Sequence, residues 1–169
     1  MEINALPNYD MTDNSTGCCP RFHPENWDSR DFHFQDKLFV RVTTRSLAHI
    51  PLNMGSVFRK TFQAIKHADA KSDANFIVLS RDQSAWSAEH LFAVNKEVPE
   101  EEMIQLTGDF VTKVFEGPYK FVPRWCEELD ESIKVRGKNA KRTYFFYTTC
   151  PKCAKTYGKN YVVGVAQIE

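Results

Sequence analysis

Residues 142–153, RTYFFYTTCPKC, contain six consecutive β-formers at 144–149 and so read as a strand. Side chains on a strand alternate in direction, which sets Tyr144 and Phe146 on one face and Phe145 and Tyr147 on the other. Both faces are aromatic, so both must be covered. The amphipathic stretch just upstream supplies one cover, and it is expected over Tyr144 and Phe146. The face carrying Phe145 and Tyr147 then needs a second half of the protein, a ligand, or both.

Working outward, residues 161–168 (YVVGVAQI) read as the closing strand and 106–116 (LTGDFVTKVFE) as the opening strand of the same unit. Between them a helix is expected, with Pro123 in its first turn, an apolar face of Val122, Trp125, Leu129 and Ile133, and Gly137 at its end. The earlier part of the chain repeats this order. Residues 37–47 (KLFVRVTTRSL) form a strand. Asn53 is placed to cap a helix whose apolar face is Met54, Val57, Phe58, Phe62 and Ile65, fading after Ala70 into KSDAN. Residues 76–80 and 91–98 follow as strands joined by a long turn, and PEEEM (99–103) is an exposed helical turn.

Phe39, Pro51 and Phe76 match Phe110, Pro123 and Tyr144 at offsets of 71, 72 and 68 residues. Such a nearly constant offset predicts an internal duplication. The expected class is α+β: duplicated β-α-β-β repeats, about 37–98 and 104–169, forming two antiparallel sheets backed by two helices about a pseudo-twofold. The groove between the halves is a natural ligand site. Residues 1–36 stand apart, with a polar mobile arm to Thr16 and then a wrapping coil rich in rings.

Composition narrows the function classes. Lys+Arg and Asp+Glu are 22 each, so no global field favours a nucleic acid. No apolar run reaches transmembrane length, and the first residues lack the basic and apolar regions of a secretory signal. Five cysteines without an export signal fit a reducing cytoplasm.

The Gly117-Pro118-Tyr119 turn, Trp125 on the following helix, the Tyr-rich strand and the closing strand together resemble the GyrI-like small-molecule-binding family. That family spans effector-binding domains of drug regulators, gyrase-inhibitory proteins and hydrolases of reactive cytotoxins. The CCP opening and the CPKC segment resemble the branch often labelled hydrolase. Where cation-binding relatives carry a strand glutamate this chain has Phe145, so the resemblance implies a pocket for neutral, hydrophobic or aromatic guests. The expected function is binding of such a molecule in the inter-repeat groove, lined by Trp27, Trp86, Tyr119, Trp125, Phe145 and Tyr147, with hydrolytic detoxification of an electrophile as an extension. Glu116 and Tyr119, flanking the turn, are the candidate acid–base pair. A solvated Glu beside a packing Tyr is the plainer account. The rival class is a protein-interaction module that sequesters a partner.

Cys150 and Cys153 have the CxxC spacing of half a zinc site, and Cys18, Cys19 or His23 are candidates for the other half. Neighbouring cysteines on an extended chain diverge, which weighs against both Cys18 and Cys19 on one ion. A catalytic dithiol is a third reading, disfavoured because too little chain follows Cys153 to build a thioredoxin-like fold. The simplest reading has no cofactor, only a turn holding two reduced thiols. The five histidines show no ligand spacing, and neither a phosphate loop nor a Gly-x-Ser-x-Gly elbow is present.

Overall fold

Seven strands and three α-helices make up the computed structural model, which describes residues 1–72 and 75–169. The strands are β1 (Asp31–Leu47), β2 (Ile50–Pro51), β3 (Val78–Asp82), β4 (Ser87–Ala93), β5 (Glu102–Glu116), β6 (Ala140–Tyr147) and β7 (Tyr161–Ile168). The helices are α1 (Met54–His67), α2 (Val122–Val135) and α3 (Pro151–Tyr157). The class is α+β. No described helix is long and apolar enough to cross a membrane.

The strands pair antiparallel in the order β2-β1-β4-β3-β6-β7-β5, and β1 also pairs with β5. Six strands therefore close into a barrel, with β2 a short flap on β1. Two separate sheets were the expectation; one closed sheet is what forms. The reason is strand length. At 17 and 15 residues, β1 and β5 outrun their own halves and pair with each other from Asp31–Val111 to Arg41–Glu102. The other join is slight, since β3 and β6 meet at one registered pair, Ser80–Phe145.

β1 begins six residues before the expected start because Phe32 and Phe34 belong to the barrel interior. A bulge between Phe34 and Lys37, with Asp36 at φ 51°, absorbs the shift in register. Inside, Phe34, Phe39, Leu79, Leu91, Phe110 and Val163 are fully buried, and the Phe32 and Phe110 rings stack at 5.5 Å. The interior is filled by side chains.

The alternation along β6 is as read, but its two faces are exchanged. Tyr144 and Phe146 point into the barrel, while Phe145 lies under α2 with Trp125, Leu129 and Ile133, and Tyr147 packs partly against the same cluster. Gly164 explains the choice. It sits opposite Phe145 on β7, and a Cβ there would meet Leu129 Cδ2 at 2.9 Å and Phe115 at 3.1 Å. The missing side chain lets α2 close onto this face.

Helix α1 covers the other outer face, burying Ile65 and Thr61 near Val40, Val78 and Phe92. Asn53 stands at its N-cap position, yet its side chain accepts the Arg45 N–H at 2.7 Å instead of capping. The KSDAN segment that was expected to end this helix includes Asp73 and Ala74, which lie outside the described residues. The β3–β4 turn is shorter than expected because Arg81 pairs in register with Glu89 and their side chains form an ion pair. β4 runs over 87–93 instead of 91–98, and PEEEM leads through a turn directly into β5.

The first 30 residues are not a loose arm. Asn4 N–H donates to the His33 carbonyl, and Tyr9, Phe22 and Trp27 are buried against the barrel end, with Trp27 fully enclosed. Three rings of this size outweigh the entropy of ordering a polar arm.

Candidate functional site: an arm-closed barrel mouth beside four cysteines

One end of the barrel is closed by side chains from the arm. The rings of Tyr9, Phe22 and Trp27 lie 6.0, 6.5 and 5.5 Å from Phe146. Polar contacts fix the arm there. Tyr9 OH donates to the Thr148 carbonyl at 3.1 Å, Trp27 Nε1–H to the Asn8 carbonyl at 3.1 Å, and the Thr112 hydroxyl to the Trp27 carbonyl. Burial pushes the Tyr9 phenol well above its ordinary pKa.

A cavity of about 220 Å³ lies beside these rings, lined by Phe22, Thr148, Thr149, Tyr157 and Tyr161, with Arg21, His23 and Lys159 also in its wall. The Arg21 guanidinium lies 4.4 Å from the Tyr157 ring centre. The Thr149 hydroxyl is buried with no hydrogen-bond partner. Such an orphaned group at a cavity wall has an unmet preference for a polar partner. No carboxylate is among the lining residues.

The CPKC segment opens a helix where a turn was expected. Cys150 is its N-cap residue, Pro151 occupies the first turn, and Gly158 at φ 73° ends it. This brings Cys150 and Cys153 to the arm, where Cys18 and Cys19 wait. The four Sγ atoms all lie within 4.8 Å of one another. The expected divergence of Cys18 and Cys19 does not occur, and their sulfurs are 3.7 Å apart. Gly17, at φ 71°, turns the chain, and the Thr16 hydroxyl accepts the N–H of both Cys18 and Cys19 at 3.3 and 3.4 Å. The same hydroxyl lies 3.4 Å from Cys153 Sγ. Cys150 N–H donates to Cys19 Sγ at 3.4 Å, and Tyr157 OH to the Cys19 carbonyl at 2.5 Å. Burial drives the Cys19 thiol up, while the Thr16 hydrogen bond, helped by neighbouring thiols, brings Cys153 down to about 7. His23 is elsewhere, bonded to Asp13 at 3.0 Å.

The remaining candidates scatter. Tyr119 meets Tyr147 edge-on at 5.4 Å and donates its hydroxyl to the Thr149 carbonyl at 3.0 Å, under α2 and outside the barrel. Trp125 stacks on Phe115 at 5.3 Å in the same layer, with Phe145. Trp86 is 61% exposed on the β3–β4 turn. Glu116 pairs at 3.6 Å with Lys159, which lines the cavity, but does not line it itself.

Two polar clusters were missed by sequence reasoning. Glu89, nearly buried, takes 2.6 Å bonds from Arg41 Nε and Arg81 Nε, and Arg142 reaches the Tyr144 hydroxyl at 3.3 Å. Burial opposes the Glu89 charge, but the Arg81 and Arg41 bonds prevail and hold it below its ordinary range. Under α1, His90 Nδ1 meets the Ser80 hydroxyl at 2.7 Å and Nε2 the Thr44 hydroxyl at 2.8 Å. Burial lowers His90 to about 4. The Phe58 ring seals this dyad at 4.8 Å, so it reads as a packing device, without the substrate access a nucleophile needs. A charged residue recurring at an inward strand position was the available signal for Glu89.

The family described as bacterial hydrolase matches residues 9–168. Among solved structures, an uncharacterized conserved protein from Listeria innocua shares the fold at TM-score 0.57 and 12% identity, covering 84% of this chain and 92% of its own. A hydrolase from Listeria innocua does so at TM-score 0.56 and 12% identity, with the same coverage. SAV2435, solved bound to tetraphenylphosphonium, aligns at TM-score 0.50 and 13% identity over 84% of this chain and 94% of its own. No curated protein matches.

Proposed function

This chain belongs to the bacterial hydrolase family, and from there we propose that it binds a small, flat, largely apolar molecule at the arm-closed mouth of its barrel. One observation carries the reading: the mouth is shut by rings borrowed from the arm, beside a cavity with an orphaned Thr149 hydroxyl. A guest ring has aromatic surface to lie on, and a polar substituent that parts the wall by a small shift has the buried Thr149 hydroxyl to bond. Arg21 and His23 of the wall pair with Asp13, and Lys159 with Glu116, so the wall offers no spare charge and the preferred guest is neutral. SAV2435 was solved with a lipophilic cation; this wall, its basic groups already paired, favours an uncharged guest.

Supporting the GyrI-like reading, and with it a duplicated unit, is the matching strand order within each half. β1-β4-β3 and β5-β7-β6 follow the same sequence of strand types, and like strands join like at β1–β5 and β3–β6. A cytoplasmic setting is part of the same reading, since all five cysteines are unpaired. Hydrolysis would draw on Glu116 and Tyr119. Glu116 already faces Lys159 and Tyr119 already donates to Thr149, so binding is the primary activity we assign.

A second reading has its own observation. Leu47, Ile50, Leu52 and Trp86 are all more than half exposed, on hairpin tips joined where Ser46 N–H donates to the Trp86 carbonyl. This patch fits a protein partner. Calorimetry and tryptophan fluorescence with 1-naphthol, anilinonaphthalene sulfonate and tetraphenylphosphonium separate the two. Saturable micromolar binding of 1-naphthol, weakened by Thr149→Val, is expected, with weaker binding of the two charged probes. No binding of any probe would overturn the small-molecule reading and leave the patch.

A further inference from the structure

We propose that Cys18, Cys19, Cys150 and Cys153 together hold one tetrahedral Zn²⁺ that fastens the N-terminal arm to the barrel mouth. This does not rest on the small-molecule reading, and its test has a different readout. Four thiolates at Zn–S of about 2.3 Å place their sulfurs about 3.8 Å apart. Here all four sulfurs fall within 4.8 Å of one another and Cys18–Cys19 is already at 3.7 Å, so sub-ångström movements complete the shell.

The ligands come from two places far apart in sequence. Two are on the arm beyond Gly17, and two are at the start of α3. The surroundings suit bound thiolate rather than thiol. Cys150 N–H donates to Cys19 Sγ, and the Thr16 hydroxyl lies against Cys153 Sγ, the outer contacts that orient and stabilise metal-bound sulfur. On binding, four Zn–S bonds form as four thiol S–H bonds break, and the protons pass to solvent. The resulting dianion is bracketed in sequence by Arg21, Lys152 and Lys155. A Cys₄ site with all positions filled is closed, so the ion is structural and does not activate water. What it holds is the arm: Phe22 and Trp27, the rings that shut the mouth, follow Cys19 within eight residues.

The test is a Co²⁺ titration of the reduced 169-residue chain, followed by displacement with Zn²⁺. A one-to-one endpoint with intense tetrahedral d–d bands and sulfur-to-cobalt charge transfer is expected, and zinc should abolish both. Cys18→Ser, at the exposed ligand, should weaken the charge transfer and lower affinity at least tenfold, while Cys126→Ser changes neither. Absence of tetrahedral bands, a different stoichiometry, or an unchanged Cys18→Ser spectrum would overturn the site. Hydrogen exchange reads the fastening. Chelation should speed exchange across residues 19–28 and leave β4 and β7 unchanged, and an arm indifferent to chelation would overturn that role.

Discussion

The two ends of the barrel are closed by opposite chemistry. Along β6, the arm rings meet Phe146 and Thr148, while two residues back Arg142 and Arg81 gather about Tyr144 beside Glu89. The ionic end is sealed by the strands' own side chains, and every partner there is fixed by a ladder position. The aromatic end is sealed by a segment outside the barrel. An apolar closure made by a separable piece can be exchanged for another apolar object, whereas a buried ion-pair network loses several kcal/mol if one partner leaves. The site therefore belongs at the end that uses borrowed parts.

Breaking the aromatic end should have the largest effect. Trp27→Ala removes a fully buried ring and should cost about 3–5 kcal/mol in denaturant unfolding; a cost below about 1 kcal/mol would mean the arm is only laid on the surface. Next, Glu89→Ala leaves Arg81 without its carboxylate and Arg41 with only the exposed Glu102, and should cost about 2–3 kcal/mol at neutral pH. Because the Glu89 pKa is depressed in the folded protein, its contribution is present above the ordinary carboxylate range and disappears on acidification. Glu89→Gln should flatten the acid limb of a stability–pH curve.

His90 sharpens the same curve at higher pH. Its folded value of about 4 lies below the ordinary 6.5, so the unfolded chain binds the extra proton between these values. Stability should fall by about 3 kcal/mol as pH drops from 6.5 to 4, and His90→Gln should remove that slope. The smallest effect is expected at Trp86→Ala, within about 0.5 kcal/mol, with guest binding at the mouth unchanged. A lost partner protein in that variant would favour the exposed patch.

Much of the fold was legible because periodicity is local. Trp125, Leu129 and Ile133 form the buried face of α2 as spaced, and β7 has the expected bounds. The direction of β6 was not legible, because alternation defines two faces without saying which one a barrel encloses. That decision rests on Gly164, on another strand. Helix α3 carried its own signals, Pro151 at the start and Gly158 at the end, and the CxxC spacing drew attention away from them. Cys18 and Cys19 were discounted on an extended-chain argument that the Gly17 turn defeats. Their approach to Cys150 and Cys153 spans more than 130 residues, beyond the reach of any local pattern.

The single registered pair between β3 and β6 gives the ring a clasp. Every other join of the barrel is riveted at five or more positions. Thermal breathing will part the wall first beside Ser80 and Phe145, and amide exchange there should outpace that of the neighbouring staves.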